Sequence, residues 1–179
     1  MAPADDLAPT DARPLSCRIA ADPLEVELHH RIRREIFVAE QAIFAGDDRD
    51  ARDDDPEVLK VLGLCGPTAA GAVRLYRIDA AADTWMGDRL AVLRRFRRHG
   101  LGAPLVRFAV RTAGQRGGRV MLAHIQPANV RWFERLGWER SGDPEIYVGL
   151  PHQPMQIALD AAAPSGVTSR SSERASADR

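Results

Sequence analysis

The chain has 179 residues and a formal net charge of zero, with 25 Lys and Arg set against 25 Asp and Glu. Balanced charge excludes the global positive field that draws a protein to nucleic acid or to anionic membranes, and no apolar run approaches the ~20 residues that span a bilayer. A hydrophobic fraction of 45% and a charged fraction of 28% fit a globular protein long enough to bury one core.

Residues 1–14 are rich in Ala, Pro and Asp, and Asp5, Asp6 and Asp11 argue against the apolar core of a signal peptide. We expect a disordered N-terminus and a cytoplasmic protein. Cys17 and Cys65, which lack metal-ligand spacing, read as reduced buried thiols. Leu15–Ala20 reads as a first strand. From Pro23 to about Gln41, Leu24, Leu28, Ile32, Ile36 and Phe37 recur at helical spacing. That helix ends in the cluster Glu35, Phe37, Val38, Glu40 and Gln41. An acidic loop follows, with Asp47, Asp48, Asp50, Asp53, Asp54 and Asp55 before Pro56. It lacks the glycine and terminal Glu of a calcium loop, so no metal is expected. A solvated loop is the expectation, able to attract a cationic acceptor such as a polyamine or an amino-sugar.

Val58–Cys65 and Ala70–Asp79 are apolar enough for two strands across the turn Gly66-Pro67, and Thr84–Leu93 gives a fourth. Leu101–Arg116 is an amphipathic helix able to turn Leu105, Val106, Phe108, Ala109 and Thr112 toward a sheet. Gly117-Gly118 stops it, and Val120–Ile125 is a short fifth strand. Pro127–Leu136 reads as a short helix closed by Gly137. Ile146–Leu150 and Met155–Leu159 are final strands around Pro151-His152-Gln153-Pro154. Ala161–Arg179 reads as a disordered tail. The order describes a mixed α/β sheet in one domain over residues 15–160.

Between the fourth strand and the long helix lies Arg97-Arg98-His99-Gly100-Leu101-Gly102-Ala103. A glycine turn at a helix start exposes backbone N–H groups at the positive end of the helix dipole and cradles a phosphate or pyrophosphate. Gly100 and Gly102 permit close approach of the anion, and the arginines add charge. Leu105 stands where a dinucleotide fingerprint needs a third glycine, and Lys60 is the only lysine, so no NTPase phosphate loop is present. The cluster Arg94, Arg95, Arg97 and Arg98 is confined to this loop, which suits one pyrophosphate better than a nucleic-acid backbone.

With the preceding Leu90-Ala91-Val92, the pattern Arg97-x-x-Gly100-x-Gly102 resembles the acyl-CoA pyrophosphate loop of the GNAT family of N-acyltransferases. Asn129, Trp132-Phe133, Leu136 and Gly137-Trp138 resemble a second motif of that family, in the right order. The resemblance covers about residues 15–160. It implies a six- to seven-stranded mixed sheet with flanking helices and a splayed central strand pair. It also implies acetylation of a small-molecule amine by acetyl-CoA in a ternary complex, with homodimerisation a common assembly. By the same resemblance Leu90, Ala91 and Val92 bind the pantetheine arm, and a backbone N–H near Val92 polarises the thioester. Arg98, His99, Gly100, Leu101, Gly102 and Ala103 hold the pyrophosphate with Arg97 beside it, and Asn129 orients the arm.

Many family members carry a tyrosine where this chain has Phe133, which cannot protonate a leaving thiolate. Tyr147, a water or the solution must then do so, or the chain is a non-catalytic acyl-CoA-binding sensor. Candidate bases are Glu40, His124 and His152. Each also has a structural reading: an exposed helical carboxylate, a histidine satisfied within a strand, and a turn residue. The segment Phe37-Val38-x-Glu40-Gln41 resembles a branch that includes small bacterial acetyltransferases akin to acyl-homoserine-lactone synthases, which would join an acyl group to an S-adenosyl donor.

Overall fold

The computed structural model describes residues 13–160. The readings made for residues 1–12 and for the tail at 161–179 lie outside them. An eight-stranded sheet is built from β1 (Leu15–Ile19), β2 (Leu59–Cys65), β3 (Thr68–Asp79), β4 (Thr84–Val92), β5 (Val120–Ile125), β6 (Glu139–Arg140), β7 (Glu145–Tyr147) and β8 (Leu150–Ala158). The path runs β1-β2-β3-β4-β5-β8-β6, with β7 also paired to β8. Only the β4–β5 pair is parallel. The sheet therefore exceeds the six or seven strands expected, because two short strands after Gly137 pair with β8.

α1 (Pro23–Arg34) starts where Asp22 accepts the Glu25 N–H at 2.9 Å and Pro23 occupies the first turn, whose free N–H positions need no ladder partner. The helix was expected to run to about Gln41. It instead widens into a π-helical turn over Glu35–Glu40, in which the Gln41 N–H donates to the Ile36 carbonyl at 2.8 Å. Such a turn inserts one residue into the ladder. α2 (Gly102–Gln115) packs on the opposite face, and α3 (Val130–Arg135) follows a single 3-10 turn at Pro127–Asn129.

The main core lies between the sheet and α2, around the fully buried Val61, Leu75, Leu101 and Leu105. Burying each such side chain stabilises by about 1.5–3 kcal/mol relative to exposure. α2 sits unusually close to the sheet, since a Cβ on Gly71 would fall 2.7 Å from Leu105 Cδ1.

The α1 face is different. Arg33 (0% exposed) and Arg74 (1%) are buried there with Asp48 (1%) and Asp53 (6%). The acidic loop is thus solvated only in part: Asp48 and Asp53 are buried, while Asp47, Asp50, Asp54 and Asp55 remain exposed. Asp53 accepts Arg33 Nη1 at 2.6 Å and Arg74 Nη1 at 3.0 Å, and Asp48 accepts Arg33 Nε at 2.8 Å. Burial alone would raise the Asp53 carboxyl, but the adjacent His30 and the Arg33 guanidinium outweigh it and hold the group well below the usual carboxylate range. Asp48, Asp50 and Asp53 are the counter-ions of arginines on α1, β3 and β4.

Candidate active site

β4 and β5 share only three register pairs, Thr84 with Val120, Trp85 with Met121 and Met86 with Leu122. Past Met86 they part, although β4 continues to Val92 and β5 to Ile125. The cause is local. The β3–β4 register slips between Ala72 and Arg74, leaving an extra residue on β4, and Arg89 adopts a φ of 53°. A bulge bends its strand and increases twist. It also breaks side-chain alternation, so Asp88 and Arg89 both join the buried ion pairs. Asp88 Oδ2 lies 2.7 Å from Arg74 Nη2, and Arg89 Nε lies 3.2 Å from Asp48 Oδ2.

A cavity of about 140 Å³ occupies the parting. It passes through the sheet. Val73, Val106, Ala109, Met121 and Ala123 line it on the α2 side, and Asp88, His124, Tyr147 and His152 on the α1 side. Phe37, Gln41, Ile43 and Phe44 close one wall from the chain that leaves the π-helical turn. Gln126, Asn129, Phe133 and Trp138 line it from the segment that follows β5. Gln126 Nε2 donates to Gln41 Oε1 at 3.2 Å, joining the two segments.

Three candidate residues from separate strands meet here. The His124 ring stacks on Tyr147, with centroids 4.1 Å apart and planes 6° from parallel. Tyr147 meets His152 edge-on at 5.4 Å. His124 Nε2 lies 2.8 Å from Glu145 Oε1, and His152 Nδ1 lies 3.0 Å from the Leu150 carbonyl oxygen. Phe133 is buried edge-on between Trp132 and Trp138, at 5.0 and 5.4 Å. Glu40 stands apart from the cavity, and its Oε1 accepts Arg97 Nη2 at 2.6 Å.

The glycine loop follows β4 directly. Residues Arg94–His99 form a 3-10 turn, and Gly100, at φ 76°, reverses the chain into α2 in a conformation that suits glycine. The Gly100 N–H donates to the Arg97 carbonyl at 3.2 Å, and the first intrahelical bond runs from Leu105 N–H to the Leu101 carbonyl at 3.2 Å. The helix start has no side-chain cap. The N–H groups of Leu101, Gly102 and Ala103 are therefore without helical partners, while Pro104 has no N–H to satisfy. Of the run from Arg98 to Ala103 named from sequence, these three carry the N–H groups left free by the helix start. Arg98 and His99 are exposed. Arg97 Nε donates to the Val92 carbonyl at 3.1 Å, and Leu90 lines the cavity while Ala91 is buried.

Sequence reasoning missed Phe44, Asp88, Arg89 and Trp138 as site residues. The bulge that places Asp88 and Arg89 leaves no mark in composition, whereas Trp138 stood inside a recognised motif. Among the described residues no group of three or more His, Cys, Asp and Glu side chains is arranged to hold a metal, and no helix is long and apolar enough to cross a membrane.

An open mixed sheet parted beside an uncapped, glycine-turned helix start defines the N-acyltransferase class of fold. The sequence model of the Acetyltransferase (GNAT) family matches residues 26–138, and the chain belongs to that family. It is 26% identical over 141 residues to a protein of Bacillus subtilis (strain 168) provisionally named as an acetyltransferase, covering 77% of this chain and 94% of that one. A Lactobacillus plantarum structure provisionally named as an N-acetyltransferase superposes with a TM-score of 0.71 at 22% identity, covering 81% of this chain and 98% of the other. An aminoglycoside 6'-N-acetyltransferase complexed with coenzyme A superposes with a TM-score of 0.65 at 16% identity, covering 81% and 96%.

Proposed function

We propose that this chain is a cytoplasmic N-acetyltransferase that moves the acetyl group of acetyl-CoA to a primary amine of a small molecule, by direct attack with both substrates bound. The observation that carries the reading is the parting of β4 from β5 directly ahead of an uncapped helix start. Two unladdered strand edges suit an extended amide-bearing arm laid between them as an added strand. In this reading the Leu90–Val92 edge takes the pantetheine, with a backbone N–H near Val92 polarising the thioester carbonyl. The N–H groups of Leu101, Gly102 and Ala103 take the pyrophosphate, with Arg97, Arg98 and His99 around it and Asn129 orienting the arm.

An alkylamine with a pKa near ~10 is almost wholly protonated at neutral pH, so a base must take a proton before attack. His124 does so from the parting itself, with His152 behind Tyr147 as the second candidate. Tyr147 returns a proton to the leaving thiolate, the task that Phe133 cannot perform. A thiolate leaves readily because its conjugate acid has a pKa of ~8.5, so this proton transfer assists turnover without being indispensable. Glu40 takes part only when the pyrophosphate draws Arg97 away from it. Cys65 is buried in β2, so no covalent acyl-enzyme is invoked.

Phe133 favours a second reading, a non-catalytic acyl-CoA sensor. Thiol release that depends on added amine separates the two. The primary test is a thermal-shift titration with acetyl-CoA, CoA and dephospho-CoA on wild type and Gly102→Trp. At a hundredfold excess over Kd, binding adds about 2.7 kcal/mol. A Cβ on Gly102 already comes 3.3 Å from the Trp132 ring, so an indole there obstructs the loop. A shift in wild type that is lost in a cooperatively melting mutant supports the reading. No shift with any of the three ligands overturns it.

A further inference from the structure

We infer that the acceptor is a primary amine carried on an apolar, ring-sized body, and not a polyamine or an amino-sugar; this rests on the transferase reading above. The argument begins with charge. Among the described residues, Asp88 and Arg89 are the only Asp, Glu, Lys or Arg side chains lining the cavity. Both Asp88 oxygens are already engaged by Arg74, at 2.8 and 2.7 Å. Arg89 is neutralised by Asp48 and Asp50, at 3.2 and 3.3 Å. Of the acidic loop, Asp48, Asp50 and Asp53 are committed to Arg33, Arg74 and Arg89, and the exposed Asp47, Asp54 and Asp55 do not line the cavity. An amine bearing a second or third ammonium would leave water for a wall that holds no unpaired carboxylate, and desolvation would go uncompensated.

The second observation is where the rings lie. Half of the chain's five Phe, three Trp and two Tyr residues line this one cavity: Phe37, Phe44, Phe133, Trp138 and Tyr147. Phe133 and Trp138 form the wall carrying the arm-orienting Asn129. Phe37 and Phe44 line it from the π-helical turn and the chain after it, and Tyr147 with Val148 closes the α1 side near His124. Flat rings and one branched side chain around a proton-accepting imidazole suit a body that is apolar and planar, with its single amine turned toward His124. A sugar ring would bury hydroxyls against Phe37, Ile43 and Phe44, and the amide of Gln41 beside them is already engaged by Gln126 at 3.2 Å.

The test is amine-dependent thiol release from acetyl-CoA with phenylethylamine, hexylamine, spermidine and glucosamine, alongside CoA binding by calorimetry. We expect kcat/KM for phenylethylamine to exceed that for spermidine and glucosamine at least tenfold. Phe44→Leu keeps an apolar wall and loses the ring, so it should lower kcat/KM for phenylethylamine about tenfold and that for hexylamine by a smaller factor. Equal or better use of spermidine or glucosamine overturns the inference while the transferase reading stands. So does CoA binding with no apolar amine raising thiol release above buffer, or a Phe44→Leu variant that loses both apolar amines equally. Failure to bind CoA overturns the transferase reading itself, and the inference with it.

Discussion

His29 makes the stability of this protein depend on pH in a calculable way. Its ring is wholly buried on α1, Nε2 lies 3.2 Å from the Val73 carbonyl oxygen, and Nδ1 has no hydrogen-bond partner. A second proton would therefore sit on a buried, unsatisfied nitrogen close to the Arg33 charge. Burial first, and Arg33 second, push the imidazole from 6.5 down to about 3. In the unfolded chain the same ring takes a proton below about pH 6.5, whereas the folded protein resists until near pH 3. The contribution is thus intact above about pH 6.5 and is lost progressively as pH falls toward 3. Integrated from pH 7 to pH 5, that difference removes about 2 kcal/mol of stability, or roughly 4–8 °C in Tm for a chain of this size. The assay is urea unfolding at pH 7, 6 and 5 of wild type and His29→Gln, whose amide can still donate to Val73 and does not titrate. The other four of the five histidines are common to both proteins and cancel in the difference. We expect the stability gap between the two to narrow by about 2 kcal/mol from pH 7 to pH 5. Two parallel curves would refute the reasoning.

Asp53→Asn removes a carboxylate held by two buried arginines, and we expect a loss of about 3–5 kcal/mol in chemical denaturation. Asp50→Asn, on a 39%-exposed side chain, should cost about 1 kcal/mol or less, and equal losses would contradict the buried network. Gly71→Ala drives a methyl to 2.7 Å from Leu105 Cδ1 and 3.1 Å from the Ala91 carbonyl oxygen, and a loss of about 1–3 kcal/mol should appear as a lowered Tm. Val148 holds a φ of 46° beside Gly149 at 79°, a turn that β-branched residues rarely adopt. Val148→Asn should raise the stability of the β7–β8 hairpin by about 1 kcal/mol, read as a Tm increase.

The strands up to β5 were legible because each has its own apolar run and a turn signal beside it. Val120–Ile125 was bounded to the residue by Gly117-Gly118 and Pro127. Past Gly137 the reading weakened. Pro151 and Pro154 suggested a turn, yet both lie within β8, and the chain reverses at Val148-Gly149 instead. The burial of Asp48 and Asp53 was not legible, because their partners Arg33, Arg74 and Arg89 come from three separate elements, which no local pattern connects. In the site, the glycine loop was legible since its chemistry is carried by adjacent residues. The meeting of His124, Tyr147 and His152 was not, because it depends on how three strands align. Each had been singled out alone, while Glu40 proved to face Arg97.

The parting of β4 from β5 has a consequence for solubility. Sheets ordinarily carry their unpaired edges at the periphery, where a second molecule can add a strand, and such edges are blunted by charge, proline or brevity. Here two further edges face one another inside the sheet, flanked by α2 and by the chain leaving α1. Another copy of the protein cannot reach them. The sequence along them can therefore stay largely apolar beyond the Asp88-Arg89 bulge, as Leu90-Ala91-Val92 does on one side and Ala123 and Ile125 do on the other. The architecture provides strand-adding backbone to a slender guest while withholding it from the protein's own neighbours.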